Sequence, residues 1–218
     1  METKSGIFKN FFTLEEERVL RDLVETNRML KPGSSRYAPM VIESMSRSQI
    51  EFTIPKNIEE KLITLAKQFI DDPDLELTHY QYLDYFGKYG KGNSPNLPPH
   101  LDVENYYTKV SVDYQMSSNI DWPIVVEDQS FILQDNEVLV FEASDRIHWR
   151  DPIILKEDDR CEVIVFHFSN KFEHQPYVEK QMSKEERDMI IKKHNSMPKM
   201  KEYRKKFFEQ LEALKGNK

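Results

Sequence analysis

His100-Leu101-Asp102 sets an imidazole and a carboxylate two residues apart. On an extended strand, residues at that spacing share a face, so both side chains can converge on one metal ion. Such a pair is weak evidence by itself, since roughly 0.4 are expected by chance in a chain with this many His and Asp residues. Its surroundings add weight. The pair follows an aromatic segment, LELTHYQYLDYF, and a loop rich in Gly, Asn and Pro; a second strand-borne imidazole, His148, lies further on, and Arg160 opens the next apolar run. Two neutral imidazoles and one carboxylate make a facial triad, which leaves three adjacent positions on an octahedral Fe(II). A single carboxylate also leaves the ion with a net positive charge, able to accept an anionic chelating cosubstrate.

The rest of the chain must hold those residues in place. Its 218 residues carry 31 Lys and Arg, 38 Asp and Glu, and one cysteine, which describes one globular domain over 1–218. Cys161 alone makes no internal disulfide and no thiolate metal site, so any metal falls to His and carboxylates. No run approaches the roughly 18 to 20 apolar residues of a membrane span, and METKSGIFKN lacks the apolar stretch of a secretory signal; a cytoplasmic protein with no membrane partner is expected. Residues 184–218 hold 11 basic and 6 acidic side chains, a net +5, which leaves −12 of the total −7 on the first 183. An acidic body disfavours a nucleic-acid partner, because phosphate binding rests on clustered Lys and Arg.

Along the chain, Thr13 and Glu16 have capping-box spacing ahead of Val19, Leu20, Leu23 and Val24 at helical period. Short strands are expected around 37–42 and 50–54, and a second helix over 58–70 with Ile58, Leu62, Leu65 and Phe69 on one stripe. From residue 75 the pattern changes to strand-like runs: HLDVE, TKVSVDYQM, WPIVVED, SFILQ, EVLVFEA, RIHWRDPII and RCEVIVFHFS, separated by polar turns. The tail returns to helices, with Ser183 and Glu186 at capping-box spacing, a break at Pro198, and an apolar stripe of Tyr203, Phe207, Leu211 and Leu214. The expected fold is mainly β with flanking α: a core over about 75–170, N-terminal support over 1–74 and a helical extension over 171–218. The tail stripe reads as packing, with dimerisation of two copies through these helices as the alternative.

From about Leu77 to Ser169 these ordered motifs resemble the Fe(II)- and 2-oxoglutarate-dependent dioxygenases, especially the prolyl-4-hydroxylase-like branch. The resemblance implies a double-stranded β-helix, or jelly roll, with iron held by His100, Asp102 and His148. It implies that Arg160 grips the distal carboxylate of 2-oxoglutarate, a role suited to a guanidinium that offers a bidentate fork and stays charged when buried. Glu162 stands on the same strand face as Arg160, so Arg150, which shares a face with His148, is the alternative anchor. Tyr114 and Tyr85 stand where the family supplies a further hydrogen bond to the cosubstrate, or are ordinary core.

The implied activity is oxidative decarboxylation of 2-oxoglutarate to succinate, coupled through O2 to hydroxylation of a protein side chain, prolyl among the candidates, or of a small molecule. Ascorbate is a candidate reductant. The competing expectation is a cupin-like module that binds metal without turnover or without 2-oxoglutarate. Of the other residues, His167 and Cys161 read as buried on the face opposite Arg160, Trp149 lines the pocket or covers the mouth of the barrel, and 88–99 is expected to be a lid.

Overall fold

A computed structural model describes residues 5–31, 34, 39–42, 47–87, 94–102, 108–170 and 184–216. A seven-stranded antiparallel sheet is built from β1 (Ser5–Lys9), β2 (Met40–Ile42), β3 (Arg47–Ile50), β4 (Leu75–Phe86), β6 (Val110–Ser118), β9 (Glu137–Phe141) and β11 (Arg160–Asn170). Its strand order is β1-β9-β6-β11-β4-β3-β2. A four-stranded antiparallel sheet has the order β5-β10-β7-β8, from β5 (Leu97–His100), β7 (Ile124–Val126), β8 (Gln129–Phe131) and β10 (His148–Arg150). The helices are α1 (Leu14–Arg28), α2 (Lys56–Ile70), α3 (Lys184–Ser196) and α4 (Pro198–Gly216).

Alternation along the strands decides which side chains can reach the site. On β6, Val110, Val112, Tyr114 and Met116 join Leu20 and Val24 of α1 and Ile58, Leu62 and Ala66 of α2 in one buried cluster. Each such aliphatic burial is worth roughly 1.5–3 kcal/mol relative to exposure. The intervening Ser111, Asp113 and Gln115 are also buried and line the opposite, inner face. That inner face meets the small sheet: Leu139 and Phe141 of β9 cluster with Ile124 and Val126 of β7, and the Phe141 ring lies 4.8 Å from that of His148. The result is two stacked antiparallel sheets with helices outside, the layering expected of a jelly roll.

Several elements match the expected local chemistry. Thr13 caps α1: its Oγ1 accepts the Glu16 N–H at 3.3 Å, and Glu16 Oε2 accepts the Thr13 N–H at 2.8 Å. Pro198 begins α4, as a proline at a helix start should. Others differ. β1 was absent from the pattern, being a short, half-exposed strand at the sheet's edge. β2 falls within the expected 37–42 run, whereas its partner β3 comes earlier than the 50–54 run indicates, ending at Ile50. Residues 97–99, expected in a loop, belong to β5, and 94–96 of the expected lid are buried; 88–93 and the Ser183 cap lie outside the described residues.

Most of the tail's apolar stripe packs within the chain. Met200, Tyr203 and Phe207 of α4 are buried against Leu101, Ile147 and Trp149 on the outer side of the small sheet.

Candidate metal centre

His100 ends β5 and His148 begins β10, and the two are register partners in the antiparallel pair. Asp102 does not share the strand: β5 stops at His100, and Asp102 follows in a turn. Backbone bonds fix it there. The Asp102 N–H donates to Ala143 O at 3.0 Å, and the Asp102 carbonyl accepts the Thr108 N–H at 2.8 Å. The carboxylate thereby meets both imidazoles, with Oδ1 3.3 Å from His100 Nε2 and 3.6 Å from His148 Nε2. One ligand atom from each of the three residues lies within 4.8 Å of the others, the one such grouping among the described residues.

Tautomer and charge favour a cation at the centre. His100 Nδ1 donates to Pro98 O at 2.8 Å and His148 Nδ1 to Arg146 O at 3.0 Å, which turns both Nε2 lone pairs toward Asp102. Burial alone would raise the Asp102 carboxyl, but the His148 charge and hydrogen bonds from both imidazoles hold it well below the usual carboxylate range. Burial pushes His148 down, but the facing Asp102 together with the Arg146 carbonyl and the Asp113 charge raises it further, so its affinity for a proton ends above the ordinary value. Without a metal, this pocket takes up a proton where a divalent ion would sit. The donor set, two imidazole nitrogens and one carboxylate oxygen, fits Fe(II) with open positions.

Arg150 faces inward from the same strand as His148 and is 3% exposed. Its guanidinium lies over the Trp122 ring, 5.2 Å from the centroid, and Nη1 donates to Trp122 O at 2.5 Å. Nη2 is buried with no hydrogen-bond partner among the described residues. A buried guanidinium N–H left unsatisfied is costly, and a ligand carboxylate relieves that cost. Tyr85 stands nearby on the inner face of β4, edge-on to Trp122 at 4.8 Å, with Arg47 Nη1 donating to its hydroxyl at 3.3 Å.

Arg160 and Tyr114 are not brought to this centre. Arg160 lies on the helix-covered side of β11, where Nε and Nη2 each meet a carboxylate oxygen of Asp84 at 3.1 Å and Nη2 meets Glu162 at 3.0 Å. Arg28 of α1 joins that network, 2.9 Å from Glu162. Glu162 does share Arg160's face, as expected, and is its counter-ion. Tyr114 is packed edge-on to Phe12 at 4.8 Å and directs its hydroxyl to Glu17 at 3.4 Å, in the core beneath α1. Trp149 turns outward onto Tyr203 of α4, ring centroids 4.7 Å apart.

Three inner-face groups went unmarked in the sequence as site residues. Asp113, hydrogen-bonded by Ser111 at 2.7 Å, is pushed up by burial. His167, joined to Thr108 Oγ1 at 3.0 Å, is pushed down to about 4 by burial. Thr108 also carries the backbone bond to Asp102. Their signal was present only as polar residues at alternate positions in apolar strands.

No protein-family model matches the sequence, and no curated protein matches it either. Solved structures do match. The α-ketoglutarate-dependent non-haem epimerase SnoN from nogalamycin biosynthesis aligns with a TM-score of 0.58 at 8% identity, over 77% of this chain and 78% of that one. A 2OG-Fe(II) oxygenase family oxidoreductase from Burkholderia pseudomallei aligns at 0.50 and 16%, over 76% and 84%. HygX from Streptomyces hygroscopicus, solved with nickel, 2-oxoglutarate and hygromycin B bound, aligns at 0.51 and 11%, over 79% and 86%. The chain shares the fold of these solved structures. Within that fold, the His-Asp-His grouping sits on β5 and β10 of the small sheet and the turn after β5, facing the inner side of the large one. No described helix is long and apolar enough to cross a membrane.

Proposed function

We propose that the chain is an Fe(II)- and 2-oxoglutarate-dependent oxygenase that hydroxylates a protein side chain or a small molecule. The convergence of His100, Asp102 and His148 beside an inward guanidinium with an unsatisfied N–H carries this reading. His100, Asp102 and His148 would hold the iron, and Arg150 would take the distal carboxylate of 2-oxoglutarate. Tyr85, packed edge-on to the same Trp122 ring, would add a hydroxyl contact at that end. Charge supports the pairing: the divalent ion, the Asp102 carboxylate, the dianionic cosubstrate and Arg150 sum to neutrality, which a buried site requires.

When bound, iron and 2-oxoglutarate supply the oxidising equivalent from O2, with succinate and CO2 as the other products. The chain's own residues bind and orient. The carbonyls of Pro98 and Arg146 keep both imidazoles presenting Nε2. Trp122 holds the Arg150 fork against its ring and backbone oxygen, limiting the freedom the guanidinium must lose on binding a carboxylate. Val126, Phe141 and Ile124 pack around the ligand strand and keep bulk water from that side.

Anaerobically purified, Fe(II)-loaded protein given 2-oxoglutarate and O2 should release succinate, and His148→Ala should release none. Equal succinate from both proteins overturns the reading.

A further inference from the structure

Strand β5 is poorly secured by its own sheet. Its sequence, Leu97-Pro98-Pro99-His100, has two residues without a backbone N–H, it lies at the edge of the small sheet, and its pairing with β10 has a register shift between His148 and Arg150. Yet it carries one proposed iron ligand and leads directly into another. Something other than the ladder must fix it.

We infer that α4 is the positioning element of the metal centre, with Arg204 as the residue that locks β5. Arg204 Nε donates to Pro99 O at 3.1 Å, supplying from outside the hydrogen bond that an edge strand lacks. The carbonyl one residue earlier, Pro98 O, accepts His100 Nδ1–H and sets that ring's orientation. The residues interleaved with the ligands turn outward onto the same helix: Leu101 between His100 and Asp102, and Ile147 and Trp149 on either side of His148, pack with Met200, Tyr203 and Phe207. Tyr203 OH donates to Asp128 Oδ1 at 2.8 Å, tying the helix to the turn between β7 and β8. The basic tail is thereby a clamp behind both ligand strands. The inference rests on the metal-site reading above.

The test is Mn(II) affinity of the full chain by titration calorimetry, with Co(II) d–d absorption as a second readout of ligand geometry. Arg204→Met keeps the aliphatic stem and removes the donor; Mn(II) affinity should fall roughly 10- to 100-fold, the usual cost of losing a group that orients a ligand. Arg204→Lys, which can still donate to Pro99 O, should recover most of it. Leu101→Ala removes the contact from the strand side and should weaken binding similarly, which preserves the test if Arg204→Met does not fold. Lys206→Ala breaks an exposed pair with Glu202 on the same helix and should leave affinity and spectrum unchanged. Affinity and spectrum of folded Arg204→Met equal to wild type, or an equal loss in Lys206→Ala, overturns the clamp alone. A wild-type chain that binds no Mn(II), Co(II) or Fe(II) overturns the metal site and the clamp with it.

Discussion

His100 and His148 face one another directly across the β5–β10 pair, with ring centroids 4.2 Å apart. Two imidazoles on adjacent strands at one register position need no loop to bring them together. Strand pairing sets their register, and Asp102 completes the set from the turn that follows.

Removing either imidazole should therefore cost metal binding far more than stability. His148→Ala is expected to weaken Mn(II) binding by more than roughly 100-fold, beyond the usual loss for an orienting group, while its melting temperature stays within a few degrees of wild type. Calorimetric titration beside a thermal melt checks this; an unchanged metal affinity would count against the site.

Metal binding should be pH-dependent in a stated direction. His148 holds its proton above the ordinary 6.5 because Asp102 faces it, and a metal must displace that proton. Mn(II) affinity should rise with pH and level off once His148 is neutral, falling about tenfold per pH unit below that point. Titrations in buffers of different ionisation enthalpy should show proton release at pH 6. Binding heats that do not depend on the buffer would contradict it.

The two inward and outward arginines should separate cleanly. Arg150→Ala is expected to raise the 2-oxoglutarate Kd by about 100-fold, the scale of losing charge-assisted hydrogen bonds. Arg160→Ala should leave that Kd alone and destabilise the fold by about 1–3 kcal/mol, because among the described residues Asp84 and Glu162 keep only Arg28 as a counter-ion. Cosubstrate titration and urea unfolding of both variants decide it, and the reverse pattern would restore Arg160 as the anchor.

Acid should destabilise the chain partly through His167. Its folded value near 4 lies below the ordinary 6.5, so the unfolded state binds the proton first and stability falls as pH drops from 6.5 toward 4. The full effect is about 3 kcal/mol. His148, with a raised value, acts in the opposite sense: its contribution is present below 6.5 and is lost as pH rises through its folded pKa. Comparing wild type with His167→Gln by urea unfolding at pH 7 and pH 4.5 isolates the first effect; identical pH dependence in both would rule it out.

The grouping of His100, Asp102 and His148 was legible in the sequence through the ordered strand-like runs around it, the His-x-Asp pair alone being weak evidence. Asp102 departs from the strand geometry expected of His-x-Asp, since it reaches the centre from a turn and not from the strand face. Arg160 and Tyr114 could not be oriented from sequence. RCEVIVFHF is apolar on both faces, so nothing in its pattern says which parity points inward, and a one-residue change in register reverses every side chain. Only the docking of α1 through Arg28 onto Glu162 and Tyr82, which Arg160 also meets, resolves that parity. The α4 stripe was readable as amphipathic, but periodicity does not name the surface it covers.

The most direct measurement is an anaerobic visible-absorption titration of 2-oxoglutarate into the Fe(II)-loaded chain. The expected result is a metal-to-ligand charge-transfer band that saturates at one equivalent, is lost in Asp102→Ala, and requires far more 2-oxoglutarate in Arg150→Ala. A chain that retains no Fe(II), or one that retains it and shows no band at any 2-oxoglutarate concentration, would contradict the oxygenase reading.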